Sequence, residues 1–182
     1  PCVGDTNLGQ RLLVEACTAW REAMQSLHSK HLLAGLSASD DHAITFNTRP
    51  LFAAGAPIKI LALGKTAVAL GDAAANRLGR SFGEGLAVQG ERKERGERWT
   101  TLVGGHPRAN AQSVEAGTAV VAWLGNLADD DRLLVLMSGG ASAMIEQHAP
   151  GWDLARSAAA RLADLEAGLP IALVNQRASS RS

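Results

Sequence analysis

The sequence predicts an α/β protein with three layers built on a mostly parallel sheet. Three observations carry that reading. Ile58-Lys59-Ile60-Leu61-Ala62-Leu63 and Leu133-Leu134-Val135-Leu136-Met137 are short, largely apolar runs ended by glycine-containing turns, the pattern of strands buried on both faces. Helix-compatible stretches follow both turns, so strands and helices alternate. Alanine is abundant and there are 19 glycines, small residues that let helices lie close on a sheet.

The 182 residues suffice for one domain with a core, or for a domain with a small lobe. Lys plus Arg and Asp plus Glu number 18 each, a net charge of zero that argues against a dedicated nucleic-acid binder. No apolar run approaches a bilayer span. Cys2 and Cys17 do not form a C-x-x-C pair, so no disulfide framework is indicated and a reducing, cytoplasmic setting is expected.

Residues 8 to about 36 carry Leu12, Leu13, Ala16, Trp20, Met24 and Leu27 at helical spacing, which predicts one long helix packed on the domain. His28 and His31 on it read as surface or packing residues, since no third metal ligand is in view. Residues 37–57 read as an irregular loop with an extended piece through Ile44 and Phe46. A strand over 58–63 leads through Gly64-Lys65-Thr66 into a helix over 67–78 stopped by Gly79. A short strand over 85–88, a charged tip over 91–98 and a strand over 99–103 follow. Asn110 is placed to cap a helix over about 111–127. Asp129-Asp130-Asp131 reads as a solvated turn, because adjacent acids project in different directions. The strand at 133–137 then opens into Ser138-Gly139-Gly140-Ala141-Ser142, where a helix start would turn its free N–H groups toward an anion. A last helix is expected over 152–167.

Ligands of parallel sheets sit beyond the C-terminal strand ends. Gly64-Lys65, Gly105-His106-Pro107 and Ser138-Gly139-Gly140 all fall there. Gly64-Lys65-Thr66 is no Walker loop, because Lys59 stands where its first glycine is required. Gly83-x-Gly85 is followed by Val88 in place of the third glycine of a dinucleotide fingerprint. No G-x-S-x-G elbow occurs. What remains is a lysine after a buried strand, a histidine at a neighbouring strand end and a small-residue loop.

Leu61-Ala62-Leu63-Gly64-Lys65-Thr66-Ala67, Gly105-His106-Pro107, Leu136-Met137-Ser138-Gly139-Gly140-Ala141-Ser142-Ala143 and Val174-Asn175-Gln176-Arg177 stand in the order and rough spacing of one known family. The chain resembles the N-terminal domain of the class II, MOFRL-type glycerate 2-kinases, often labelled hydroxypyruvate reductases. Their pattern is approximately Gly-Lys-Ala, Gly-His-Pro-x-Pro-Asp, Ser-Gly-Gly-Gly-Ser-Ala and Asn-x-Val-Arg-Lys-His-Leu-Ser. The resemblance implies a Rossmann-like domain over 37–177, with 1–36 as a helix packing on it, 178–182 as a polar tail, and a C-terminal MOFRL domain lying outside this sequence. It implies ATP, magnesium and transfer of the γ-phosphoryl group to the 2-hydroxyl of D-glycerate. By position, Lys65 becomes the active-site lysine. Gly64, His106, Ser138, Gly139, Gly140 and Ser142 line the phosphate or substrate site, and Asn175 and Arg177 begin a substrate-side motif. The resemblance leaves the metal ligands unassigned and leaves room for a homodimer, with no nucleic-acid or membrane partner. Ala141 replaces the third loop glycine, Asn110 stands near the expected Asp, and Gln176-Arg177-Ala178-Ser179 departs from the last motif. The alternatives are a non-catalytic module that binds sugar phosphates or other anions, and an inactive fragment.

Overall fold

The computed structural model describes residues 10–12, 14–20, 28–90 and 98–181. Strands β4 (Ile58–Leu63), β5 (Phe82–Gln89), β6 (Trp99–Val103) and β7 (Leu133–Met137) form a parallel sheet in the order β6-β5-β4-β7. Helices cover both faces, as expected from the alternation.

β4 is one of the two interior strands, and its side chains alternate between two cores. Ile58, Ile60 and Ala62 pack with Ala67, Val68, Ala74 and Leu78 of α2 (Ala67–Leu78). Leu61 and Leu63 face the other way, toward Ala116 and Val120 of α3 (Ala111–Gly125) and toward Ala141 and Met144 of α4 (Ala141–Met144). β5 matches this alternation, with Phe82 and Ala87 in the first core and Leu86 and Val88 in the second. Helix α2 ends where expected, at Gly79 with φ +55, whose N–H returns to Ala75 O. The α2 face also holds a ring against two glycines: a Cβ on Gly71 or Gly85 would stand 2.6 or 2.4 Å from Trp99.

Several expectations are corrected. Residues 10–12 and 14–20 are helical and exposed, but the chain bends at His28, and only Ser29–Leu32 (α1) is helical beyond it. Leu36 already belongs to β1 (Leu36–Ala38), so one helix does not run to residue 36; the part of that helix over 21–27 lies outside the described residues. The supposed loop over 37–57 is a three-stranded antiparallel sheet, β1 with β2 (Ile44–Phe46) and β3 (Arg49–Phe52). Asn47 and Thr48, at φ +47 and +67, make the two-residue hairpin turn between β2 and β3. Leu36 and Ile44 insert into the α2-side core. β5 runs longer than the predicted 85–88, and the charged tip over 91–97 lies outside the described residues.

The strand at 133–137 is not buried on both faces. Among the described residues β7 pairs only with β4 and forms the sheet edge, leaving Val135 and Met137 46% and 67% exposed. After α4 the chain forms a helical hairpin, α5 (Leu154–Glu166) and α6 (Ile171–Ser179), whose helices pack on each other. Asp153 caps α5 by accepting Arg156 N–H at 2.7 Å. Asp164, buried on α5, accepts from Arg177 Nη1 at 2.7 Å and Arg181 Nη2 at 2.9 Å. The hydrogen bond from Arg177 holds the Asp164 carboxyl below the usual carboxylate range, with Arg181 adding to the shift and partial desolvation opposing it.

Ile60 is fully buried, so Ile60→Ala is expected to cost about 2–5 kcal/mol in urea denaturation, combining lost transfer energy with an unfilled cavity. A depressed carboxyl pKa stabilises the fold above the unfolded value and loses that contribution as pH falls through the folded one. Asp164→Asn is therefore expected to lower thermal stability at pH 7. The gap from the unsubstituted protein should close only as pH falls below 3.8, the ordinary Asp value. Melting followed by circular dichroism from pH 7 to pH 2.5 checks this.

Candidate functional site

The order β6-β5-β4-β7 reverses direction between β4 and β7. β4 hands the chain to α2 on one face, and β7 hands it to α4 on the other. Such a switch point leaves a crevice beyond the strand ends, where parallel sheets hold ligands. The register pairs Leu63 with Met137, so the turn at 64–66 and the loop at 138–140 emerge side by side. Lys65 N–H donates to Gly139 O at 3.0 Å, and Ser138 N–H donates to Leu63 O at 2.9 Å.

Three of the expected segments meet at Gly140. Its φ is +90, and a Cβ there would lie 2.8 Å from His106 Cδ2 and 3.3 Å from Lys65 Cγ. Only glycine admits the imidazole and the lysine stem together at that point. Gly64 (φ +106) is equally constrained, because a Cβ would stand 2.4 Å from Ser138 O. Lys65, His106 and Gly139 are exposed, and Ser138 and Gly140 are half-buried. Among the described residues, neither the Lys65 ammonium nor the His106 ring has an ion-pair or hydrogen-bond partner.

His106 is placed by residues that motif reading assigns only to a cap. Asn110 Oδ1 accepts Ser113 N–H at 3.2 Å, and the Ser113 hydroxyl accepts the N–H groups of Asn110 (3.1 Å) and Gly105 (2.9 Å). Ser113 is fully buried, so this capping box also fixes the backbone entering His106. Serine at the third helical position is the signal that was available and passed over.

Other expectations change. α4 is a single turn, Ala141–Met144, too short to supply the helix N-terminus anticipated for an anion. Ser142 lies exposed on it. The Ser138 hydroxyl is taken up internally, donating to Leu63 O and accepting Thr66 N–H, each at 3.1 Å. Asn175 and Arg177 lie on α6 in the helical hairpin, and Arg177 is engaged by Asp164. The structure brings neither of them into the cluster of Lys65, His106 and Gly140.

A cavity of about 510 Å³ lies at the opposite, N-terminal end of the strands, lined by Lys59, Glu84, Arg98, Thr100, Trp123 and Asp131. Lys59 Nζ is held there by Asp131 at 2.8 Å and Glu84 at 3.1 Å. Those partners raise the Lys59 pKa, and Lys59 in turn lowers that of Asp131. This end neutralises its own charge, whereas the end holding Lys65 does not. Among the described residues, no group of three or more His, Cys, Asp or Glu could hold a metal ion, and no helix is long and apolar enough to cross a membrane.

Residues 15–177 match the family described as "Domain of unknown function (DUF4147)". Two solved structures share the fold. The PH0495 protein from Pyrococcus horikoshii OT3 aligns with a TM-score of 0.75 at 24% identity, over 93% of this chain. A glycerate kinase from Thermotoga maritima aligns with a TM-score of 0.74 at 20% identity, over 91% of this chain. The chain spans 37% of the length of each. No curated protein matches it.

The two loop glycines should respond differently to a methyl group. Gly140→Ala forces an L-residue to positive φ against His106, so a loss of about 1–2 kcal/mol is expected in urea denaturation, with a shifted His106 ring resonance. Gly139→Ala meets nothing within 4 Å and should stay within about 0.5 kcal/mol.

Proposed function

This chain belongs to the DUF4147 family, and we propose that it forms the phosphate-handling part of a MOFRL-type glycerate 2-kinase. The observation that carries the reading is the meeting of Lys65, His106 and Gly140 at the β4/β7 switch point, with both side chains unpaired among the described residues. The shared fold with a glycerate kinase supports it.

In this reading the transferred γ-phosphoryl group lies over the loop at 139–140. Phosphoryl transfer asks the protein chiefly to position groups and to neutralise charge on the non-bridging oxygens. Lys65 supplies a positive point charge there. His106, at the same point, hydrogen-bonds the carboxylate of glycerate and orients the 2-hydroxyl for in-line attack. The new P–O bond forms to that hydroxyl oxygen as the bond to ADP breaks, and the hydroxyl proton leaves to solvent. The described residues gather no metal-ligand set, and no side chain is assigned to magnesium.

The reading is tested by glycerate-dependent ADP formation from ATP and magnesium in a protein that carries this chain together with a MOFRL domain. Removing a charged group that acts on the transition state is expected to lower kcat/KM about 10²–10³-fold. Lys65→Ala should show that loss with an unchanged circular dichroism spectrum. Turnover unaltered in Lys65→Ala would remove Lys65 from the site. Absence of glycerate-dependent ADP formation in the unsubstituted protein would overturn the kinase reading.

A further inference from the structure

We infer that Ser138 serves this site as a positioning residue, setting Lys65, and makes no contact with the bound phosphate. The inference rests on the reading of Lys65 as the phosphate-binding cation. Its own evidence is the hydrogen-bond inventory around one hydroxyl.

A serine hydroxyl has one proton to give and two lone pairs. Ser138 Oγ lies 3.1 Å from Leu63 O and 3.1 Å from Thr66 N. A carbonyl can only accept and a backbone N–H can only donate, so both roles are fixed. The proton goes to Leu63 O, and one lone pair receives Thr66 N–H. No donor is left for an anion. An expectation built on a Ser-Gly-Gly loop assigns that hydroxyl to phosphate, and the geometry does not.

The same hydroxyl decides where Lys65 stands. Thr66 is the N-cap of α2, but its side chain makes no capping hydrogen bond. Its N–H is satisfied by Ser138 from 72 positions away in sequence. Lys65 N–H is tied to Gly139 O, and Gly64 passes under the Ser138 carbonyl with no room for a Cβ. The 64–66 turn therefore hangs from the 138–139 loop on both sides of Lys65. Removing the hydroxyl frees Thr66 N–H, while Leu63 O keeps the Ser138 backbone N–H; the turn can then shift and carry the Lys65 stem away from Gly140.

A double-mutant cycle with inorganic phosphate and ATP as probes, read by calorimetry, tests this. The loss of one well-placed hydrogen bond corresponds to about a tenfold effect. Ser138→Ala is expected to weaken binding about tenfold in the unsubstituted protein and to have no further effect in a Lys65→Met background. Ser138→Thr, which keeps a hydroxyl, should restore binding. Equal losses in both backgrounds would show direct contact with the ligand and overturn the inference. Amide exchange gives a second, ligand-free reading. Thr66 N–H should exchange faster in Ser138→Ala while the amides of Ala62 and Leu86 in the sheet do not, and an unchanged Thr66 would also overturn the inference. If the unsubstituted protein binds neither probe, the phosphate reading fails and the site role of Ser138 fails with it. Exchange at Thr66 still reports whether the hydroxyl holds the turn, so the two failures are told apart.

Discussion

β4 and β7 run side by side with Leu63 opposite Met137, so the turns at Gly64 and Ser138 leave the sheet at one level. That pairing sets everything near the site. Side chains alternate along a strand, so a slip of one residue would exchange the two cores of β4 and separate the turns. Burial resists such a slip, because Ile58, Ile60 and Ala62 fill one core while Leu61 and Leu63 fill the other. Two glycines complete the constraint. Gly64 lets the Ser138 carbonyl approach, and Gly140 lets His106 and Lys65 approach. Packing of apolar side chains thus fixes the register, and the register fixes the polar geometry at the strand ends.

The charged residues divide along the same axis. At the N-terminal end Lys59 is balanced by Asp131 and Glu84. Arg132 Nη1 reaches the carbonyls of His42 and Ala53 and ties the small sheet to the start of β7. In the helical hairpin Asp164 takes both Arg177 and Arg181, and the guanidinium groups of Arg156 and Arg181 each lie over the Trp152 ring. Each of these groups makes a contact that ties parts of the fold together. Lys65 and His106 fit no such account. An exposed lysine costs nothing to leave unpaired, so exposure alone decides little. What distinguishes Lys65 is that two backbones are shaped around it, one of them held at positive φ.

Much of the fold was legible because burial writes itself into local pattern. Ile58–Leu63, Ala67–Leu78 and Trp99–Val103 end where composition says they should, since each ends at a glycine or enters a glycine-rich turn. The small antiparallel sheet was not legible, because its strands are three or four residues long and too short to show alternation. Its signal was Asn47, a residue that tolerates positive φ, beside a Thr that usually does not. The position of β7 at an edge was illegible for a different reason. Five apolar residues read the same whether one neighbour or two pair with them, and strand order is a property of the whole sheet. The site divides likewise. Lys65, His106 and Gly140 followed from their places after strands. The commitments of Ser138 and Arg177 did not, because each depends on a partner that only the tertiary fold supplies.

Ala141 shows how the resemblance and the geometry bear on each other. In the glycerate kinase pattern a third glycine stands where this chain has Ala141, which on sequence alone looks like damage to the loop. The conformational demand falls elsewhere. Gly140, not residue 141, has the left-handed backbone and the close neighbours. Ala141 opens α4, is 6% exposed, and packs with Leu61, Leu63, Leu86 and Val88 beneath the loop. An alanine there is compatible with helical backbone and adds a buried methyl to the second core, so it steadies the loop from below. The position whose backbone and neighbours require glycine is Gly140, and Ala141 lies on the side of the loop that faces the core.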